Sequence, residues 1–143
     1  MFREANTLGS ILSVVLTTCT FAFPMCSVDE VMVTGRVDHP PKDAKIRVWL
    51  IYPKDRRGES GDVTVVDGKF SIPIQFLTES RSPILNGSLG KCGRRPKAVL
   101  VTLTEGDQDH EYDRVSLDFA KDFQMADPSA YALRSELVLN GAR

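Results

Sequence analysis

Few residues in this chain have the chemistry for catalysis, and their spacing does not assemble it. The 143 residues include two histidines and three cysteines. His39 precedes Pro40-Pro41 in a turn between strands, and His110 sits in the polar stretch Glu105–Glu111, a hairpin tip. Both are expected to be solvated. The serines of Gly58-Glu59-Ser60-Gly61 and Gly87-Ser88-Leu89-Gly90 miss the G-x-S-x-G spacing of a nucleophile elbow, and no strand-to-helix context surrounds them. Glycine-rich phosphate loops are absent, and no Cys/His spacing suits zinc. No catalytic residue and no cofactor is expected.

Three groups are candidates for binding. Asp107, Asp109, Glu111 and Asp113 recur every second residue, so on an extended chain they share a side and offer oxygens to calcium. The EF-hand order is missing, and a solvated hairpin tip is the expected reading; no metal is expected. Lys91, Arg94, Arg95 and Lys97 surround Cys92 and form a candidate anion or glycan site. No aromatic residue interleaves with them, which disfavours single-stranded nucleic acid. Trp49 and Ile51 fall on the strand face opposite Ile46, Val48 and Leu50, and Leu100 on a neighbouring strand would extend that face into an apolar interface. Lys45 and Arg47 before this run, and Pro53 through Arg57 after it, guard it against edge aggregation.

The elements that carry these groups are strands. Period-two alternation marks Glu30–Asp38, Lys45–Tyr52, Gly61–Val66, Lys69–Phe76, Lys97–Glu105, Tyr112–Phe119 and Tyr131–Leu139. Asp67-Gly68 is a tight-turn signal. Pro73 cannot donate to a ladder and places its strand at a sheet edge. One short helical stretch is expected near Asp118–Met125, and Leu77–Pro96 is a long connection rich in Ser, Gly, Asn and Arg. Seven short alternating strands predict an all-β, two-layer antiparallel sandwich in one domain, residues 27–143.

Residues 1–26 read as a secretory signal peptide: Arg3 near the start, an apolar run through Leu16, small residues after it, and no charge between Glu4 and Asp29. Thr20-Phe21-Ala22 allows cleavage after Ala22. Leu16-Thr17-Thr18-Cys19 offers a lipobox-like alternative that would acylate Cys19. The mature chain keeps Cys26 and Cys92, which an oxidising compartment would bridge. A closed loop of about 66 residues makes that bridge worth about 4 kcal/mol in the chain-entropy account. Asn86-Gly87-Ser88 is an N-glycosylation acceptor only in a eukaryotic secretory pathway. The net charge of −1 supplies no global field for nucleic acid or an anionic membrane.

Gly35-Arg36-Val37, then Ala44-Lys45-Ile46-Arg47-Val48, then Asp67-Gly68-Lys69-Phe70 resembles the carboxypeptidase regulatory-like, or transthyretin-like, β-sandwich. That family's pattern runs G-x-V, a turn, A-x-V-x-V and later D/N-G-x-F, and the resemblance covers roughly residues 33–76. Residues 77–96 stand where the family has a glycine–tyrosine strand. The resemblance implies an Ig- or transthyretin-like sandwich serving as an accessory, adhesive or scaffold module, and it carries over no functional residue. The expectation is therefore a secreted or periplasmic, non-catalytic binding or structural module. Its partner would be a protein or glycan in the envelope or outside the cell, with membrane contact only if Cys19 is lipidated. The alternatives are a lipid-anchored envelope subunit and a hydrolase with a loop-borne active site.

Overall fold

The computed structural model describes residues 26–78, 93–107 and 110–142. They form nine strands, a 3-10 turn (Pro53–Asp55) between the second and third, and one short α-helix: β1 (Ser27–Asp38), β2 (Ala44–Tyr52), β3 (Arg56–Thr64), β4 (Lys69–Thr78), β5 (Ala98–Glu105), β6 (Glu111–Asp118), α1 (Phe119–Asp122), β7 (Phe123–Asp127), β8 (Ala130–Leu133) and β9 (Leu137–Asn140). Two sheets pack face to face. One has the order β3-β2-β5-β6; the other runs β4-β1-β8-β7, with β9 also on β1. Among the described residues no helix is long and apolar enough to cross a membrane.

Alternation puts every second side chain into one shared core. Val31, Val33 and Val37 of β1 enter it beside Phe70, Ile72, Ile74 and Phe76 of β4. They meet Ile46, Val48 and Leu50 of β2 and Val99, Val101 and Leu103 of β5 from the opposite sheet. Phe76, Phe119, Phe123 and Tyr131 close one end as an aromatic cluster, with Phe119 stacked on Phe123 at 5.4 Å and edge-on to Phe76 at 5.9 Å. The Tyr131 hydroxyl is buried there without a hydrogen-bond partner among the described residues.

Local chemistry explains the turns. Asp67 and Gly68 both have positive φ (52° and 70°), the geometry of a two-residue hairpin turn, and Val66 and Lys69 exchange two backbone bonds of 3.0 Å across it. The Gly68 carbonyl also accepts from Val37 N at 2.7 Å, tying the turn to β1. Gly35 is the register partner of Phe70, whose ring lies over it. Pro73 sits exposed on β4, an edge strand as its missing donor requires.

The structure departs from the sequence expectation in four places. The pairing is antiparallel except where β1 receives β8 and β9 in parallel. The single strand expected over Tyr131–Leu139 is broken into β8 and β9 by Arg134-Ser135-Glu136. The helical stretch expected over Asp118–Met125 stops after α1: the Asp118 carboxylate caps Ala120 N and Lys121 N at 3.0 Å, and the chain is extended again at Phe123. β3 starts five residues earlier than expected, because Arg56–Ser60 forms an exposed, polar edge that carries no alternation.

Candidate functional site

The outer face of the four-stranded sheet gathers one of the three predicted groups. Trp49 and Leu100 are directly opposed across β2 and β5, and Ile51 follows Trp49 on the same side opposite Ala98. All three are half-buried. Two guanidinium groups lie within cation–π reach of Trp49: Arg47 is 5.7 Å and Arg57 4.9 Å from the ring centroid. Arg47 stands two residues before Trp49 and shares its face. Arg57 arrives by a different route. Between the pairs Trp49↔Ser60 and Ile51↔Arg57, β3 uses one residue more than β2. This bulge re-aims the strand and brings Arg57 onto the ring.

Tyr52 anchors the same bulge from below. Its ring packs so closely on Gly58 that a Cβ there would lie 2.2 Å from Tyr52 Cε2. Its hydroxyl donates to Glu59 Oε2 at 2.5 Å. Burial raises the Tyr52 phenol well above its usual range, and the bond to Glu59 adds to the rise.

The charges around Trp49 are unequal in their commitments. Lys45 pairs with Asp107 at 2.8 Å and Asp62 at 3.5 Å. The hydrogen bond to Asp107 raises the lysine pKa and holds that carboxyl below its usual range. Arg114 is bound by Glu111, whose carboxyl it lowers in turn. Arg47 and Arg57 make no close ion pair among the described residues, although each lies within electrostatic reach of a carboxylate that is already bound: Asp107 for Arg47 and Glu111 for Arg57. Thr102, between Arg47 and Arg114 in register, is buried although it faces outward, since their long stems cover it.

The members of the other two predicted groups that lie among the described residues are not brought together. Of the basic cluster, Lys91 lies outside the described residues. Lys97 reaches Asp55 at 2.6 Å, Arg95 stacks 5.6 Å from the Tyr131 ring, and Arg94 is exposed. The acidic run is divided by a bulge: Glu111 pairs with Thr104 and Asp113 with Leu103, so the two carboxylates fall on opposite faces rather than sharing one. Asp113 accepts from Arg114 N at 2.8 Å and from Asn140 N at 2.9 Å, Asp107 holds Lys45, and Asp109 lies outside the described residues. Among the described residues no group of three metal-ligating side chains converges. His39 is exposed in its turn, and His110 packs edge-on against Tyr112 at 4.9 Å.

Cys26 is the one cysteine among the described residues, so no disulfide lies wholly within them; its sulfur is disulfide-bonded. Cys19, Cys92, Asn86 and all but the last residue of the expected signal peptide, residues 1–26, lie outside the described residues.

Sequence reasoning missed Arg57 as part of this face. Only the register of β3 on β2 brings it there, and a polar edge strand gives no alternation from which to read a register. Comparison with known protein families, characterised proteins and solved structures finds no match to this chain.

Proposed function

We propose that this chain is an exported, non-catalytic binding module that engages an acidic protein surface through the Trp49 face. The observation that carries the reading is the Trp49 ring with Arg47 and Arg57 both within cation–π reach of it, two guanidinium groups that form no close ion pair among the described residues. Half-buried Ile51 and Leu100 extend the ring into an apolar strip. An extended partner that alternates carboxylates with apolar side chains matches this face: apolar groups on Trp49 and Leu100, carboxylates on the arginines. Aromatic and arginine side chains are also the residues that most often dominate binding energy.

Export rests on the leader-like residues 1–26 and on cystine chemistry. A bridge between Cys26 and Cys92 is favoured by the course of the chain. Gly93 packs on β4, where a Cβ would lie 2.3 Å from the Leu77 carbonyl, and Leu77 is the partner of Val28, two residues after Cys26.

Trp49 is the one tryptophan, so its fluorescence reports this face without competition. The probe is a short peptide of alternating glutamate and leucine, titrated at low and high salt. Saturable quenching that weakens with salt is expected, together with loss of the response in Arg47→Glu/Arg57→Glu. No response at millimolar peptide, or one untouched by the charge reversal, overturns the reading. A response to an acidic oligosaccharide but not to the peptide would make the partner a glycan. Intact mass of the chain from its native host reports leader removal and any acyl group on Cys19.

A further inference from the structure

On the opposite sheet, β1 changes partner in mid-course. Its register on β8 ends at Met32↔Ala132, and its register on β9 begins at Gly35↔Leu137. Between them neither strand covers Val33 and Thr34, and the connector Arg134-Ser135-Glu136 passes by instead. The result is a groove of about 660 Å³, within the range of small-molecule sites. Gly35, which has no side chain, and the buried Phe70 form part of its lining, with the half-buried Leu133 beside them. The hydroxyls of Thr34, Ser71 and Ser135, the cations of Lys69 and Arg134, and the carboxylate of Glu136 complete it.

The electrostatics of this groove are unbalanced. Lys69 is the direct cross-strand partner of Arg36, and like charges placed so are unfavourable. Arg36 is compensated by Asp38 at 3.5 Å and Glu136 at 3.9 Å. Lys69 has no acidic partner among the described residues. Arg134 spends only its Nε, on the Phe123 carbonyl at 3.1 Å, which orients the guanidinium and leaves its other donors to the groove. The Ser71 hydroxyl donates to Met32 Sδ at 3.2 Å, so its oxygen remains open as an acceptor.

We propose that this groove binds an anionic sugar unit. Its carboxylate would lie on Lys69 and Arg134, its hydroxyls on Thr34, Ser71, Ser135 and Glu136, and its C–H face on Leu133. A bare anion would use the two cations and leave the hydroxyls and the apolar lining idle. A neutral sugar would leave Lys69 unpaired. The site is independent of the Trp49 face, which belongs to the other sheet.

The test is an amide chemical-shift titration of the whole chain with galacturonate, its trimer, galactose and inorganic phosphate. Shifts confined to Thr34, Lys69–Ser71 and Leu133–Glu136 are expected, with galactose at least about tenfold weaker. Lys69→Met, which keeps the apolar stem, should weaken the uronate about tenfold and leave galactose unchanged. Arg134→Gln should do the same, and Trp49→Ala should leave the titration as it was. Absence of shifts in the groove at millimolar trimer overturns the proposal. So does phosphate binding as tightly as uronate, which would mark a simple anion site. Retention of uronate binding by both charge variants would overturn it as well.

Discussion

Gly35→Ala probes the point where β1, β4 and β9 come closest. A Cβ on residue 35 would lie 2.4 Å from the Leu137 carbonyl oxygen and 2.8 Å from Phe70 Cζ. The ring can swing aside; the carbonyl cannot, because it belongs to the parallel pairing of Gly35–Asp38 with Leu137–Asn140. Restoring ordinary contact requires β9 to retreat by about 1 Å. Overpacking of this kind costs about 1–3 kcal/mol, and a weakened backbone bond adds about 1 kcal/mol. Against that, losing a glycine in a strand returns about 0.5–1 kcal/mol through the unfolded chain. The balance is a destabilisation of about 2 kcal/mol, or about 6–10 °C in Tm for a domain of this size. Urea unfolding followed by Trp49 fluorescence should show a lower midpoint with an unchanged slope. Thr34→Ala, exposed on the same strand, is the control. Phe70→Leu in the Gly35→Ala background should cost less than in the parent, since the smaller side chain relieves the ring contact but not the carbonyl contact. A Gly35→Ala protein as stable as the parent, or more so, would refute the close approach and the parallel seating of β9.

Two further outcomes follow from the β2–β3 end of the sandwich. Tyr52 is held protonated in the folded state by burial and Glu59, so its contribution is complete below the usual tyrosine pKa of 10.0 and is lost as pH rises above it. The loss has a slope of up to about 1.4 kcal/mol per pH unit. Tyrosinate absorbance compared between the parent and Tyr52→Phe should show the share of Tyr52 appearing only with alkaline unfolding; appearance of that share in the folded protein at the usual pKa would contradict the buried hydrogen bond. Lys54 has φ 65° and ψ 30°, a left-handed conformation that costs a side chain about 1–2 kcal/mol. Lys54→Gly should therefore stabilise by about 0.5–1 kcal/mol once glycine's extra unfolded-state freedom is subtracted, read as a Tm increase of a few degrees, and a lower Tm would show that the turn is not strained.

The sequence by itself determined the all-β class, most of the core and the tightest turn. These rest on local signals: alternation assigns Ile46, Val48 and Leu50 inward and Trp49 outward, Asp67-Gly68 suits two positive φ angles, and Pro73 belongs at an edge. The apolar strip was legible for the same reason, since Trp49, Ile51 and Leu100 break an otherwise polar outer face. What only the tertiary structure decided is register. One extra residue in β3 carries Arg57 to Trp49, and one bulge between β5 and β6 separates Glu111 from Asp113. The change of partner along β1 opens the groove beside Thr34 and Lys69. Each depends on which residue lies opposite which. A strand's period of two is silent about that, because sliding a polar edge by a residue or two alters little of what is buried, while the side chains that meet across the strands change completely.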